Sequence, residues 1–474
     1  MVKNIFICLS FCLFWLTAES QSSKSLSECI EIALQNNITL EQSQLEVESN
    51  SLQLTQSKAN LFPTINGFGS HGYNWGQTID PFTNQFATSR IQSNSFGLNT
   101  AVTLFSGFAM QNQVKLAEVN LKISELGIES SRNGLAISVS NAFLLVLFNQ
   151  EIAKVNAANL ESSRENLNRI QKLVDVGQLP EANLYQVQAQ VASDEAMVIR
   201  TKNDIKLAML SLMQLLQLPL EERSEFNISV PEMTAPNFSL PNKEDVLRHA
   251  LHSFPEMQSA EVGILSASLN KKIAAGMRYP RLSASFNFGT GFSGANQEGI
   301  GEPMLTFTPI GFVDGTTQTV LSAFPSYEEF QTKPFFSQLG SNVNRSFFLN
   351  LTVPIFNGLS NSTNVQLAEI SERQAELNLK NTQNNLSQTV ESAYADAEAA
   401  YNNYRAAELS LKAQEEAFKY AKVRFEQQVI NGMEYSQARA TRDAASAEKL
   451  RNLYDYIFKL KILEFYQGKP ITLN

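Results

Sequence analysis

Asn344-Arg345-Ser346-Phe347-Phe348-Leu349-Asn350-Leu351-Thr352-Val353-Pro354-Ile355-Phe356-Asn357-Gly358 holds one period and then loses it. Phe347, Leu349, Leu351, Val353 and Ile355 are apolar at every second position, while Ser346, Asn350 and Thr352 point the other way; Phe348 is the misfit. This is the period of a strand with one apolar face. Beyond Gly358 the spacing changes to fours and threes, through Leu386, Val390, Ala393, Ala397, Ala400, Tyr404, Ala407, Leu411, Gln414, Phe418, Ala421 and Phe425. That is a heptad seam. No proline lies between Ile355 and Lys469, and no glycine between Leu359 and Phe425, so nothing obliges the helix to stop. At about 1.5 Å per residue it reaches roughly 100 Å, far beyond an ordinary globular helix. Such a rod spans a gap.

The same unit occurs 251 residues upstream. Phe96, Leu98, Val102, Leu104, Phe105 and Gly107 match Phe347, Leu349, Val353, Ile355, Phe356 and Gly358, and the heptad seam transfers at that offset from Leu135 to Val174. A second offset, 217, pairs Ala33-Leu34 with Ala250-Leu251 and Pro63 with Pro280. The spacing predicts two tandem halves, residues 21–240 and 241–474. The difference between the offsets places an insertion between the two strands of the second half.

Strands are expected at about 64–75, 92–105, 281–292 and 345–356, and long helical hairpins at 109–217 and 359–466. Shorter helices precede each strand pair. Asn74–Arg90 and Ser293–Val343 read as the loops between paired strands, the second about fifty residues long and rich in Gly, Pro, Thr and Phe. Pro231, Pro236 and Pro241 mark a linker between the halves.

Residues 1–20 read as a secretory signal: Lys3, an apolar core from Ile5 to Leu16, and Ala18-Glu19-Ser20 at the cleavage site. Phe11 before Cys12 is too bulky for a lipid-bearing cysteine. After the signal, Cys29 is the single cysteine, so no internal disulfide is expected. The net charge of −9, without a basic stripe, gives no sign of nucleic-acid binding. The longest uninterrupted apolar run after the signal, Ala142–Phe148, is too short to cross a bilayer as a helix, so a membrane role falls to the strands.

Four strands of this length fit a tilted transmembrane barrel better than a soluble sandwich, since four are too few to make a core of their own. Phe96, Leu98, Val102, Phe286, Phe288, Leu349 and Val353 would face lipid, and Asn99, Asn287 and Asn350 a wet lumen. One chain cannot close such a barrel; three would supply twelve strands.

Other motifs carry less. Gly67-Phe68-Gly69-Ser70-His71-Gly72 fits the dinucleotide fingerprint in letters, but Tyr73-Asn74-Trp75-Gly76 follows where a helix is required. His249 and His252 share a helix face without a third ligand and read as a surface pair. No P-loop, nucleophile elbow, CxxC or acid/base constellation is present, so neither an enzyme nor a cofactor or metal is expected.

The signal, the doubled strand-loop-strand and long helix, the Leu104-Phe105-Ser106-Gly107 and Ile355-Phe356-Asn357-Gly358 junctions, and Val176-Gly177-Gln178-Leu179-Pro180 at a hairpin tip together resemble TolC-type outer-membrane efflux proteins. The resemblance covers nearly all of the chain after the signal. It implies a mainly α chain with a membrane β-barrel: a homotrimer with a twelve-stranded open barrel in outer-membrane lipid and an α-helical tunnel in the periplasm. The implied function is the exit duct of a tripartite efflux pump or type I secretion system, reached through a periplasmic adaptor (a membrane fusion protein) from an inner-membrane transporter.

Carried over, the adaptor contacts are Gly177, Leu179 and Pro180 on one tip and Gln428, Val429 and Ile430 on the other, where Gln428 replaces the family's glycine. The positions of the family's closing polar network are here Asn183, Phe425 and Ile430, none of them charged. Glu434 begins the helix after the second tip. It is either a helix-dipole partner or one member of an entrance ring of three carboxylates. The competing class is a non-channel periplasmic coiled-coil scaffold or adaptor; an adaptor would flank one hairpin with a compact β-rich module, whereas this chain has two hairpins, each preceded by a strand pair.

Overall fold

The computed structural model describes residues 23–76, 78–79, 84, 86–87, 90–230, 240–427 and 429–472. The expected signal, the linker prolines Pro231 and Pro236, and Gln428 lie outside the described residues. The helices are α1 (Leu26–Asn36), α2 (Ile38–Ala59), α3 (Ala109–Asp175), α4 (Glu181–Leu215), α5 (Lys243–Ser253), α6 (Pro255–Gly276), α7 (Phe335–Ser341), α8 (Ser360–Glu426) and α9 (Gly432–Tyr466). The strands are β1 (Thr64–Asn74), β2 (Thr78–Ile79), β3 (Phe86–Ala87), β4 (Ile91–Ser106), β5 (Arg281–Ser293), β6 (Gln297–Ile300), β7 (Met304–Phe312), β8 (Thr319–Ser326), β9 (Glu329–Thr332) and β10 (Asn344–Thr352).

Contacts divide the chain into two compact units, each assembled from segments of both halves of the sequence. The first takes residues up to Asn50, Asn120–Leu265 and the chain from Gln374 on; the second takes Ser51–Val119 and Ser266–Arg373.

The first unit is helical. Its largest core joins Leu26, Cys29 and Ala33 of α1 to Val139, Phe143 and Leu147 of α3 and Leu212 of α4. A second core joins Val246 and Ala250 of α5 to Val390 and Ala397 of α8 and Leu463 of α9. Every buried residue of α8 (Val390, Ala397, Ala400, Tyr404 and Ala407) is a position of the heptad seam. α3 departs from the expectation drawn from apolar runs: an 18-residue window averages a hydropathy of 1.5, enough by length and composition to cross a membrane. Val139, Phe143, Leu144, Val146 and Leu147, in and beside the run Ala142–Phe148, are buried in the first core, while Leu145 stays 48% exposed. Burial also holds the Cys29 thiol up at about 12, so it stays protonated.

α3 and α8 are 67 residues each, and α4 and α9 are 35 each. α8 begins and ends 251 residues after α3, from Ala109 to Ser360 and from Asp175 to Glu426. Both long helices are entered through two successive left-handed residues, Gly107-Phe108 (φ 61° and 62°) and Gly358-Leu359 (φ 62° and 66°). Only glycine takes that conformation without cost. A Cβ on Gly107 would also collide with the carbonyl of Gly276.

The second unit holds a four-stranded antiparallel sheet in the order β1-β4-β5-β10. Leu98 pairs with Gly67 on one side and Phe288 on the other, and Phe286 pairs with Phe347. β4 slips by one residue between Thr103 and Phe105, so Leu104 drops out of the alternation. β10 ends at Thr352, two residues before Pro354, which has no N–H for a ladder. The strand expected at 345–356 is shorter for that reason, and Val353 lies just past its end.

Neither expected loop is plain. β2 pairs with β3 inside the first, while the second contains the hairpins β6–β9 and β7–β8 and the helix α7. The alternation rule failed there because Thr, Phe, Gly and Pro are interleaved without a clean period.

Candidate functional site

At the first tip α3 stops in a tight turn. Gly177 is left-handed (φ 72°), its N–H bonds to the Val174 carbonyl at 2.9 Å, and Gln178 N–H reaches back to Leu173 at 2.8 Å. This is a Schellman stop, and it accounts for the glycine. Pro180 caps α4 with φ −68° and ψ 147° and without a side-chain bond. Gly177 and Pro180 are exposed, while Leu179 is half-buried.

At the second tip Val429 N–H bonds to the Arg424 carbonyl at 2.8 Å, the same six-residue closure shifted by 251 residues. The restart uses different chemistry. Asn431 accepts the Glu434 N–H at 2.9 Å, and the Glu434 carboxylate accepts the Asn431 N–H at 3.2 Å, a reciprocal capping box. Val429 is exposed, Ile430 is half-buried, and Glu434 is exposed at the start of α9.

Between these ends lies a charged cluster that the sequence reading missed. Arg439 of α9 is 5% exposed. Its guanidinium donates to Ser163 Oγ at 2.6 Å and to the Asn159 carbonyl, both on α3, and pairs with Asp443 at 3.5 Å and Asp194 of α4 at 3.9 Å. Ser163 also donates to Asp194, and Gln190 donates to the other Asp194 oxygen at 2.9 Å. One guanidinium thus ties α9 to both helices of the first hairpin. Burial raises the Asp443 carboxyl above its usual range; Arg442 and Arg439 oppose this, and Asp194 adds to it. Nearby, Phe425 stacks on Tyr435 at 4.7 Å, and Arg169 lies over the Phe425 ring at 5.2 Å. A lone Arg amid polar helix residues carries no sequence signal. Only the partners converging on it do, and apart from Asp443 they lie some 245–280 positions upstream in sequence.

In the sheet, the register sorts side chains by face. Phe96, Leu98 and Val102 of β4, Phe286 and Phe288 of β5, and Leu349 of β10 share one face, with Ile65, Phe347 and Leu351. The opposite face carries a row of amides, Asn66, Asn99 and Asn287, ending at Ser346, whose Oγ lies 3.5 Å from Asn287 Nδ2. Asn350 shares that face, and so does Phe348, the misfit of the alternation. On the apolar face Ile65, Phe347 and Leu351 are 63–69% exposed, so the protein leaves that part of the face uncovered.

The glycines of the dinucleotide-like motif lie inside β1, paired with β4, where no helix N-terminus follows them. His249 differs from the expected surface pair: it is half-buried and bonds through Nδ1 to the Tyr466 carbonyl at 3.1 Å, while His252 is exposed.

The chain resembles known proteins along most of its length. It is 22% identical over 271 residues to the outer membrane efflux protein BepC of Brucella suis, a match spanning 56% of this chain and 55% of that relative. Its fold is that of the Campylobacter jejuni CmeC outer membrane channel, with a TM-score of 0.73, 18% identity, and 95% and 87% of the two chains covered. The outer membrane protein VceC of Vibrio cholerae gives 0.72 at 14% identity, covering 94% and 96%. The sequence profile of the outer membrane efflux protein family matches residues 29–217 and 246–468, well over half of the chain; the protein belongs to that TolC-type family, and its place is the outer membrane.

Proposed function

We propose that three copies join their four-stranded sheets into one twelve-stranded barrel, and that the helices form a periplasmic tunnel leading to it. The observation that carries this reading is the sheet itself. It has an apolar face that is largely open, an amide-lined opposite face, and two edges, β1 and β10, with no partner strand among the described residues. In a bilayer an open edge leaves backbone groups unsatisfied, so the sheet must close with other copies. Phe96, Leu98, Val102, Phe286, Phe288 and Leu349 meet lipid, with Val353 at the rim, and the amides meet water.

Two tandem halves, 21–240 and 241–474, following a signal at 1–20, are supported by the coincident helix lengths and by a family match that falls in two segments. The protein acts as the exit duct of a tripartite efflux pump or type I secretion system. A periplasmic adaptor, itself joined to an inner-membrane transporter, meets the tips at Gly177, Leu179, Pro180, Gln428, Val429 and Ile430. The loops 74–90 and 293–343 lie outside the cell.

Glu434 is spent locally as a helix cap, yet its exposure leaves it able to join a ring of three at the entrance. In planar bilayers the purified protein should conduct in discrete steps with cation preference, and Glu434→Gln should remove the preference while keeping the steps. Absence of conductance from correctly inserted trimers would refute the duct. Unchanged selectivity in the variant would leave Glu434 as a cap alone.

A further inference from the structure

The hairpin β7–β8 lies in the longer loop of the second half of the chain, and it packs closely on no other strand or helix among the described residues. Its register places Leu305, Phe307 and Pro309 opposite Pro325, Ala323 and Leu321, so these six residues make one wholly apolar face. Leu305, Phe307 and Leu321 are 54–64% exposed. The other face is mixed, carrying the hydroxyls of Thr306, Thr308, Ser322 and Ser326 together with Met304 and Phe324. From Pro303 to Tyr327 the only charged residue is Asp314, in the turn. A two-stranded hairpin with an open apolar face is marginal in water, so something apolar covers it.

The segment that follows shows which side of the sheet it works on. α7 sits on the apolar face of the four-stranded sheet: Phe335 packs against Phe292 at 5.3 Å and Phe96 at 6.4 Å, and Thr290 Oγ1 donates to the Leu339 carbonyl at 2.6 Å. Gln338, fully buried, fixes the helix by bonding both the N–H and the carbonyl of Ser293. Phe336 remains 84% exposed. The insertion therefore leaves the strands on their apolar side, away from the amide row.

We propose that β7–β8 is a lipid-docking hairpin that lies along the outer leaflet, its wholly apolar face in the acyl chains and its mixed, hydroxyl-bearing face toward the headgroups. This rests on the reading that the apolar face of the main sheet meets lipid. A flat pose suits the hairpin, because the outer edges of β7 and β8 have no partner strand among the described residues and their backbone groups need water or headgroups.

Spin labels test it on the full-length protein in vesicles of phosphatidylcholine and phosphatidylglycerol; Cys29 is fully buried and stays unlabelled. Labels at Leu305→Cys, Phe307→Cys and Leu321→Cys should collide with oxygen several-fold more often than with a water-soluble nickel chelate, and labels at Thr306→Cys and Ser322→Cys should show the reverse. Free access of nickel to both faces would place the hairpin in water and overturn the proposal. Exclusion of both reagents from the apolar face would mean that protein, such as a second copy, covers it, and would overturn it equally. Labels at Leu98→Cys and Phe286→Cys read the barrel separately. If those two prove wet or protein-covered, the lipid reading of the sheet fails, whatever the hairpin does.

Discussion

The cores of the helical unit hide large apolar side chains, and the four-stranded sheet displays its own. Val139, Val146 and Val390 of the heptad seams are 0% exposed, whereas Phe347, Leu349 and Leu351 of the alternating strand are 58–65% exposed, although both groups come from equally regular apolar patterns. Regularity of pattern therefore says which residues share a face and not what that face meets. The helices find their partner within the chain. The sheet must find it in the membrane, which is why the same rule of burial gives a core in one unit and a lipid surface in the other.

The contrast can be broken most forcefully from the helical side. Phe143→Ala should cost ~3–5 kcal/mol, measured by urea unfolding of the helical signal, while Phe347→Ala, which removes a ring the chain does not bury, should leave that transition in place. Equal losses would mean that the sheet has a protein core after all.

Arg439→Ala should cost less, ~2–3 kcal/mol, because it leaves half-buried Asp194 without its cation and half-buried Asp443 with Arg442 alone. The loss should depend on pH in a defined sense. Asp443 already sits above its usual range. Removing the cation raises it further, so the folded variant binds protons that the unfolded chain releases. Stability then falls as pH rises through the folded pKa, and the variant comes nearest to the wild type in acid. A pH-independent difference would show that the charges are not coupled.

A smaller change sharpens the comparison within the helical unit. Gly177→Val places a β-branched residue in the left-handed region and should cost ~1–2 kcal/mol, seen as faster amide exchange at the first tip. The second tip, with its Asn431–Glu434 capping box, should be unaffected. Loss of protection at both tips would mean that the two turns are held jointly.

Much of this was legible in the sequence. The long helices follow from a heptad seam uninterrupted by proline, and four strands from alternation, because period reports the face that an element turns to one side. What period cannot report is the partner. Arg439 was invisible because its ligands Ser163, Asn159 and Asp194 come from the other hairpin. The β7–β8 hairpin was read as loop because Pro309 and Gly311 interrupt its alternation at a bulge. Val353 was counted as strand because its spacing was right, though Pro354 ends the ladder one residue earlier.

The central claim is that the uncovered face of the sheet meets lipid while the opposite face meets water. Its most direct test sets Leu98→Arg against its neighbour Asn99→Arg, one residue apart on β4 and on opposite faces. Unfolding from bilayers should show a loss of ~2–4 kcal/mol for the first and little or none for the second. Equal losses from the two variants, or a larger loss from Asn99→Arg, would contradict the barrel.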